Sequence, residues 1–155
     1  MSTQVPPAGA DANRPLNRAA IAALIPHQGG MCLLERVLSW DTQQIVAATT
    51  THRDPAHPLR SAAGLRSIHL CEYGAQAAAL HGGLVAQASG ARAAPGMLVA
   101  LREIQLRRDF IHDLPGELTV RAQLLLAGSG SAQYSFEVRH QDEVLAAGRA
   151  AIMQR

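Results

Sequence analysis

Glu72 stands alone in its neighbourhood. It lies in "SIHLCEYGAQAAALHGG", Ser67 to Gly83, and no other Asp, Glu, Lys or Arg occurs between Arg66 and Arg92. A carboxylate in so apolar a stretch is costly unless it is paired, hydrogen-bonded or protonated. Two roles fit. Near a helix start its charge suits the helix dipole. As a partly buried acid with a raised pKa it would donate a proton at neutral pH. Gln76 follows four residues later on the same helix face. It is placed to orient the carboxyl or bind a substrate amide, or else it is a core amide with a backbone partner.

Seven histidines offer bases. His57, in the loop before the helix, is flanked by Pro55 and Pro58. Such a residue is either a positioned general base or an ordinary exposed loop histidine. His69 shares a helix face with Glu72 and competes with His57 for the base role, or ties the carboxyl. His27, after Pro26, reads as a packing or capping residue. His81 points away from Glu72, two and a half turns on. His112 and His140 lie near turns, where exposure is the simple expectation. No HExxH spacing, Gly-rich phosphate loop or GxSxG elbow is present. No metal site or cofactor is indicated.

These residues need elements to hold them. Asn17 is a candidate cap for a short helix over about 18–25, stopped by Pro26. "GGMCLLERVLSWD" and "QQIVAATTTHRD" read as extended segments joined by a turn at "SWDTQQ". "DPAHPLRSAAG" is a loop. A long helix runs from Ser67, its candidate N-cap, to Ala88. Four alternating segments follow, "MLVALREIQLRR", "GELTVRAQLLLAG", "AQYSFEVRHQ" and "EVLAAGRAAIMQ". In the second, Leu118, Val120, Ala122 and Leu124 share one face. Segregated helix and antiparallel strands give an α+β class. So uncharged a helix needs cover on nearly every side, which a curved sheet and a partner subunit would supply.

The 155 residues suit one domain, 17–155, behind a disordered tail, 1–16. Hydrophobic residues make up 48% of the chain and aromatics only 3%, so aliphatic side chains must fill the core. The net charge of +2 is dispersed, which argues against nucleic-acid binding. Polar residues within the long helix argue against membrane insertion. Cys32 and Cys71 form neither a disulfide framework nor a zinc motif. The N-terminus is no secretory signal, so the cytoplasm is the expected location.

"LIPHQGGMCLLERVLSWD", Leu24 to Asp41, resembles the N-terminal signature of the hotdog-fold 3-hydroxyacyl-acyl carrier protein dehydratases, with Pro26-His27 and the acidic–Arg pair Glu35-Arg36. "EYGAQAA", Glu72 to Ala78, is similar to the start of that family's central helix. "HPLRSAAGLRSIHLCEYGAQAAALHG" looks closest to the divergent dehydratase-like branch of aryl polyene-type lipid biosynthesis clusters. The resemblance implies a helix wrapped by an antiparallel sheet, and dimers with active sites between subunits. It implies His57 and Glu72 as the catalytic pair. Backbone N–H groups near Ser67 would hold the thioester carbonyl. The substrate would be a 3-hydroxyacyl chain on acyl carrier protein, lying along the apolar helix. Gln76 and His69 complete the expected binding set. Arg60, Arg66, Arg107 and Arg108 are either carrier-docking or simply solvated. The chain departs from the family pattern in having Arg66-Ser67 for Pro-Gly and His57-Pro58-Leu59 for His-Phe-Pro. A thioesterase, or a non-catalytic hotdog subunit supporting an active partner, are the other readings. The oligomer is a homo-oligomer or a heterodimer with another hotdog protein.

Overall fold

The computed structural model describes residues 15–27, 29–91 and 96–154. Helix α1, Arg18–Ala22, is capped by Asn17, whose side chain accepts the Ala20 N–H at 3.0 Å. It is shorter than the sequence suggests, because the chain turns at Ala23 and runs back along the long helix. Leu16, placed in the tail by sequence, already bridges to Val37 and packs on the core. The rest of the expected tail lies outside the described residues, apart from exposed Pro15.

Strands β1, Arg36–Trp40, and β2, Gln44–Thr49, form the expected hairpin. Asp41 closes its turn by accepting the N–H groups of Gln43 and Gln44. The threonine run does not extend β2. The hydroxyls of Thr49 and Thr51 both donate to the Leu33 carbonyl, and a 3-10 turn follows at Thr51–Arg53. Side-chain hydroxyls compete here with the sheet ladder. "GGM" likewise forms a 3-10 turn, Gly29–Met31, rather than strand.

Helix α2, Leu70–Ala88, is entered through a 3-10 turn, Ser67–His69. Ser67 is not a side-chain cap: the N-cap position of α2 is His69, with no side-chain capping bond. Strands β3, Gly96–Leu106, β4, Leu118–Gly128, β5, Ser131–His140, and β6, Glu143–Gln154, follow as expected. All six strands form one antiparallel sheet in the order β1-β2-β4-β5-β6-β3.

The sheet's inner face covers α2. Leu118, Val120 and Ala122 of β4 are buried against it, while the alternate residues Arg121 and Gln123 face outward. Twelve of the helix's 19 residues are buried, including Tyr73, Gln76 and His81. Two glycines permit this closeness. A Cβ at Gly74 would lie 2.4 Å from Phe136, and one at Gly83 would lie 3.2 Å from the Leu24 carbonyl oxygen. Leu24 to His27 therefore runs antiparallel to α2, from Gly83 toward Glu72. This is the α+β hotdog arrangement that the resemblance implied.

Candidate functional site

Three side chains meet at the start of α2. His27 Nε2 lies 3.0 Å from Glu72 Oε1, and both side chains are about 30% exposed, 29% and 30%. Gln76 Nε2 reaches the same carboxylate oxygen at 3.5 Å. Gln76 itself is fully buried, and its amide is spent mainly on main chain. Its Oε1 accepts Leu33 N–H at 3.0 Å, and its Nε2 donates to Met31 O at 2.7 Å. It thereby clamps the Met31–Leu33 segment to the helix. Arg18 holds the same segment by donating to the Cys32 carbonyl at 3.0 Å. His27 is delivered to Glu72 by a strap fixed on both sides of it. Its Nδ1 is buried and has no hydrogen-bond partner among the described residues.

Sequence reasoning gave His27 only a packing or capping role. The one signal was its place in the Pro-His signature, because 45 positions separate it from Glu72 in the chain.

His57 lies elsewhere. It is 5% exposed, so it is not an exposed loop residue. Its Nδ1 accepts Leu59 N–H at 3.1 Å, and its Nε2 lies 3.0 Å from the Tyr73 hydroxyl. These partners dictate the tautomer. Nδ1 is the acceptor, so Nε2–H donates to Tyr73. Tyr73 in turn contacts Thr51 at 2.8 Å, and Thr51 holds Leu33 O. In this arrangement neither ring nitrogen of His57 offers a lone pair to a substrate proton. Burial lowers its pKa, and His69 lowers it further. No hydrogen bond joins His57 or His69 to Glu72 among the described residues. Within the single chain, the two residues expected to act as a pair are therefore not hydrogen-bonded to each other; the resemblance placed that pair between subunits.

Ser67 is buried, and its backbone N–H donates to Asp109 O at 2.9 Å. That N–H is engaged within the fold. Glu35 of the acidic–Arg pair accepts from the backbone and hydroxyl of Thr50. Burial raises its pKa, but these hydrogen bonds and Arg18 outweigh it and lower the net value. Arg36 pairs instead with Glu117.

The remaining histidines tie loops to the core. His81 lies between Asp41 O, at 2.7 Å, and the Tyr134 hydroxyl, at 2.7 Å. His52, His112 and His140 clasp the 110–117 loop. The His52 and His140 rings bond Leu114 O and Pro115 O, and His112 Nδ1 accepts Leu65 N–H. His140 is 9% exposed and His112 half-buried, contrary to the exposure expected of these two turn histidines, and His52 is fully buried.

Burial lowers the pKa of His52, His57 and His81 below the ordinary 6.5. Each binds its proton more readily in the unfolded chain. Their stabilisation is complete above about pH 6.5 and is lost as pH falls through their folded values. Each such proton steepens the loss by up to about 1.4 kcal/mol per pH unit. Glu35 and Asp41, with lowered values, add loss of the same sign at more acid pH. Thermal melts from pH 8 to pH 5 are expected to show Tm falling below about pH 6.5. A flat Tm across this range would show that these rings are not held neutral.

A cavity of about 290 Å³ lies along α2 beyond Glu72, walled by Leu24, Pro26, Ala79, Gly82, Tyr134 and Ile152 among others. A larger hollow, about 350 Å³, is lined by Glu103, Arg121, Glu137 and Arg149. It sits on the outward face of the sheet, away from α2, and touches none of the residues around Glu72.

The sequence profile of the ApeP-like family, described as ApeP dehydratase, matches residues 19–155. The chain belongs to this family. Among curated proteins, none matches it significantly. Solved structures share the fold. The dehydratase heterocomplex ApeI:P from Xenorhabdus doucetiae matches with a TM-score of 0.79 at 23% identity, over 87% of this chain and 90% of that one. The conserved protein PA5202 from Pseudomonas aeruginosa matches at 0.53 and 23%, over 74% and 82%. A mutant of the thioesterase SAV0944 from Staphylococcus aureus matches at 0.55 and 10%, over 76% and 89%. The family match supports hotdog chemistry of the dehydratase or thioesterase type. Among the described residues, no helix of this ApeP-like protein is long and apolar enough to cross a membrane.

Proposed function

We propose that the protein removes water from 3-hydroxyacyl thioesters carried on acyl carrier protein, giving trans-2-enoyl thioesters for fatty-acid or polyene-type lipid biosynthesis. The observation that carries this reading is the 3.0 Å contact between His27 Nε2 and Glu72 Oε1 beside an uncharged cavity. A base and an acid are needed, and the pair supplies both within reach of one substrate carbon pair. His27 Nε2 takes the α-proton. The C–H electrons form the new double bond as the β-carbon–oxygen bond breaks. Glu72, protonated, gives its proton to the departing hydroxyl, and water leaves. The proton gained by His27 then returns to Glu72 across their contact, which resets the site. Glu72 keeps the acid role expected from sequence. We assign the base role to His27 because it contacts Glu72 directly, whereas His57 bonds Tyr73 and Leu59.

A second hotdog chain is part of this proposal, as a copy or a different partner. Among the described residues strand β3 is an edge, paired only with β6, and it exposes Met97, Leu98, Val99 and Leu101 on both faces. Long apolar edges invite pairing with another strand. The ApeI:P relative is a heterocomplex, which favours a distinct partner.

The deciding assay supplies a 3-hydroxyacyl-carrier thioester to the protein, with and without a hotdog partner, and follows enoyl product and free thiol together. Enoyl product is expected. Free thiol without enoyl product identifies a thioesterase instead. No turnover by this chain alone, with turnover in the presence of the partner that survives Glu72→Gln, would make it a supporting subunit.

A further inference from the structure

Tyr73 follows Glu72 on α2, and the proposed reaction leaves it unused. It is fully buried, and a buried hydroxyl must be hydrogen-bonded. This one has two side-chain partners, His57 Nε2 at 3.0 Å and Thr51 Oγ1 at 2.8 Å. Burial raises the Tyr73 pKa above the ordinary 10, so the phenol stays neutral and keeps one proton to donate.

The partners fix the direction of each bond. Leu59 N–H occupies His57 Nδ1, so His57 Nε2–H donates to Tyr73. The Tyr73 proton is left with Thr51 as its acceptor. Thr51 gives its own proton to the Leu33 carbonyl, at 2.8 Å. The other polar group of Leu33, its N–H, donates to Gln76 Oε1. That bond, with Nε2 on Met31 O, fixes which end of the Gln76 amide faces Glu72. Turned over, the amide would set oxygen against oxygen at Met31 and N–H against N–H at Leu33. Nε2–H is therefore the group offered to Glu72 Oε1, at 3.5 Å, the outer limit for a hydrogen bond. At that distance a small displacement of Leu33 decides whether the bond forms. Tyr73 and Gln76 are three residues apart and so are neighbours on the helix surface. They grip Leu33 from two sides, one through Thr51 and the other directly.

We infer that Tyr73 is a positioning residue for the reaction: through Thr51 and Leu33 it sets the Gln76 amide against the Glu72 carboxylate. His57 anchors the far end of this line of donors. The bond from Gln76 strengthens once Glu72 has given up its proton, because a donor favours the charged form. Tyr73 therefore acts on the step in which Glu72 loses its proton, and not on substrate binding. The inference rests on the dehydratase reading for that step.

Tyr73→Phe keeps the ring and removes the hydroxyl, and Thr51→Val does the same for the threonine. With a 3-hydroxyacyl-carrier thioester, below the Tm of each variant, both are expected to lower kcat about fivefold and to leave KM near wild type, the scale of a residue acting through a network. Thr51→Ser retains the hydroxyl and is expected to restore the rate. In a Gln76→Met background, Tyr73→Phe is expected to lower kcat no further. A loss that persists undiminished in that background, a loss confined to KM, or wild-type kcat in both Tyr73→Phe and Thr51→Val overturns the inference. A second readout needs no turnover. The Gln76 side-chain amide protons are followed by NMR through a pH titration, and comparison with Glu72→Gln identifies the step due to Glu72. That step is expected to shrink in Tyr73→Phe and in Thr51→Val. If the protein dehydrates no thioester and the step shrinks, the reaction reading fails and the placement of Glu72 by Tyr73 stands. An unchanged step overturns that placement whatever the activity.

Discussion

Glu72→Gln is expected to lower kcat/KM for dehydration by about a hundred- to ten-thousand-fold, the usual contribution of a positioned acid or base. Glutamine keeps the size of the side chain and its contact with Gln76, so the loss reports the missing proton rather than lost packing. His27→Gln is expected to cost a similar factor. If the two act as a unit across their 3.0 Å contact, as proposed, the double variant should lose little more than either single one. His57→Asn is expected to behave differently. It removes a buried ring bonded to Tyr73 and Leu59, so Tm should drop. Below that Tm, its kcat/KM should fall by less than about tenfold, under the range of a working base. Steady-state kinetics beside thermal melts separates the cases. A His57→Asn variant with an unshifted Tm and a loss equal to that of Glu72→Gln would return the base role to His57. Losses that multiply in the Glu72/His27 double variant would show that the two do not act as a unit.

Gly74→Val is expected to be the most destabilising single change among those considered. Phe136 is 3% exposed and held between two glycines. On the helix side a Cβ at Gly74 would lie 2.4 Å from its ring, and on the β6 side one at Gly148 would lie 3.2 Å from it. The ring has little room to retreat, so an added side chain must separate α2 from β5. Overpacking of this kind costs about 1–3 kcal/mol or more. Even Gly74→Ala, which gains about 1 kcal/mol of helix propensity, is expected to lose stability on balance. Against a total of about 5–15 kcal/mol for a typical domain, such a loss is a substantial fraction of the stability. Denaturant melts check the prediction, and Phe136→Leu should recover part of the loss in Gly74→Ala. If Gly74→Ala is as stable as wild type, α2 does not sit this tightly on the sheet.

The strand pattern of the C-terminal half was legible because side chains alternate with period two. Leu118, Val120, Ala122 and Leu124 could be assigned to one face from their alternation alone; the first three are buried, and Leu124, half-buried, packs against the core. The long helix was legible from its lack of charge, and Glu72 from its isolation within it. These are local properties of neighbouring residues. Where local hydrogen bonding competed, reading along the chain failed. The Thr49–Thr51 hydroxyls turned to Leu33 O and ended β2, and Ser67 entered a 3-10 turn instead of capping α2.

The partner of Glu72 was beyond such reading. Local spacing favoured the histidines nearest in sequence, His57 and His69. Only the tertiary fold, in which Gly83 lets the Leu24–His27 strap lie along α2 and Gln76 clamps the segment after it, brings His27 to the carboxylate. The same holds for His52, His81 and His140, whose carbonyl partners are 62, 40 and 25 positions away. The sequence by itself determined the α+β class, the sheet-facing residues and the one acid in an uncharged helix, because periodicity and charge are written between neighbours. The contact between His27 and Glu72 and the shape of the cavity were decided by tertiary structure, because both depend on segments far apart in the chain that meet only once the helix is wrapped.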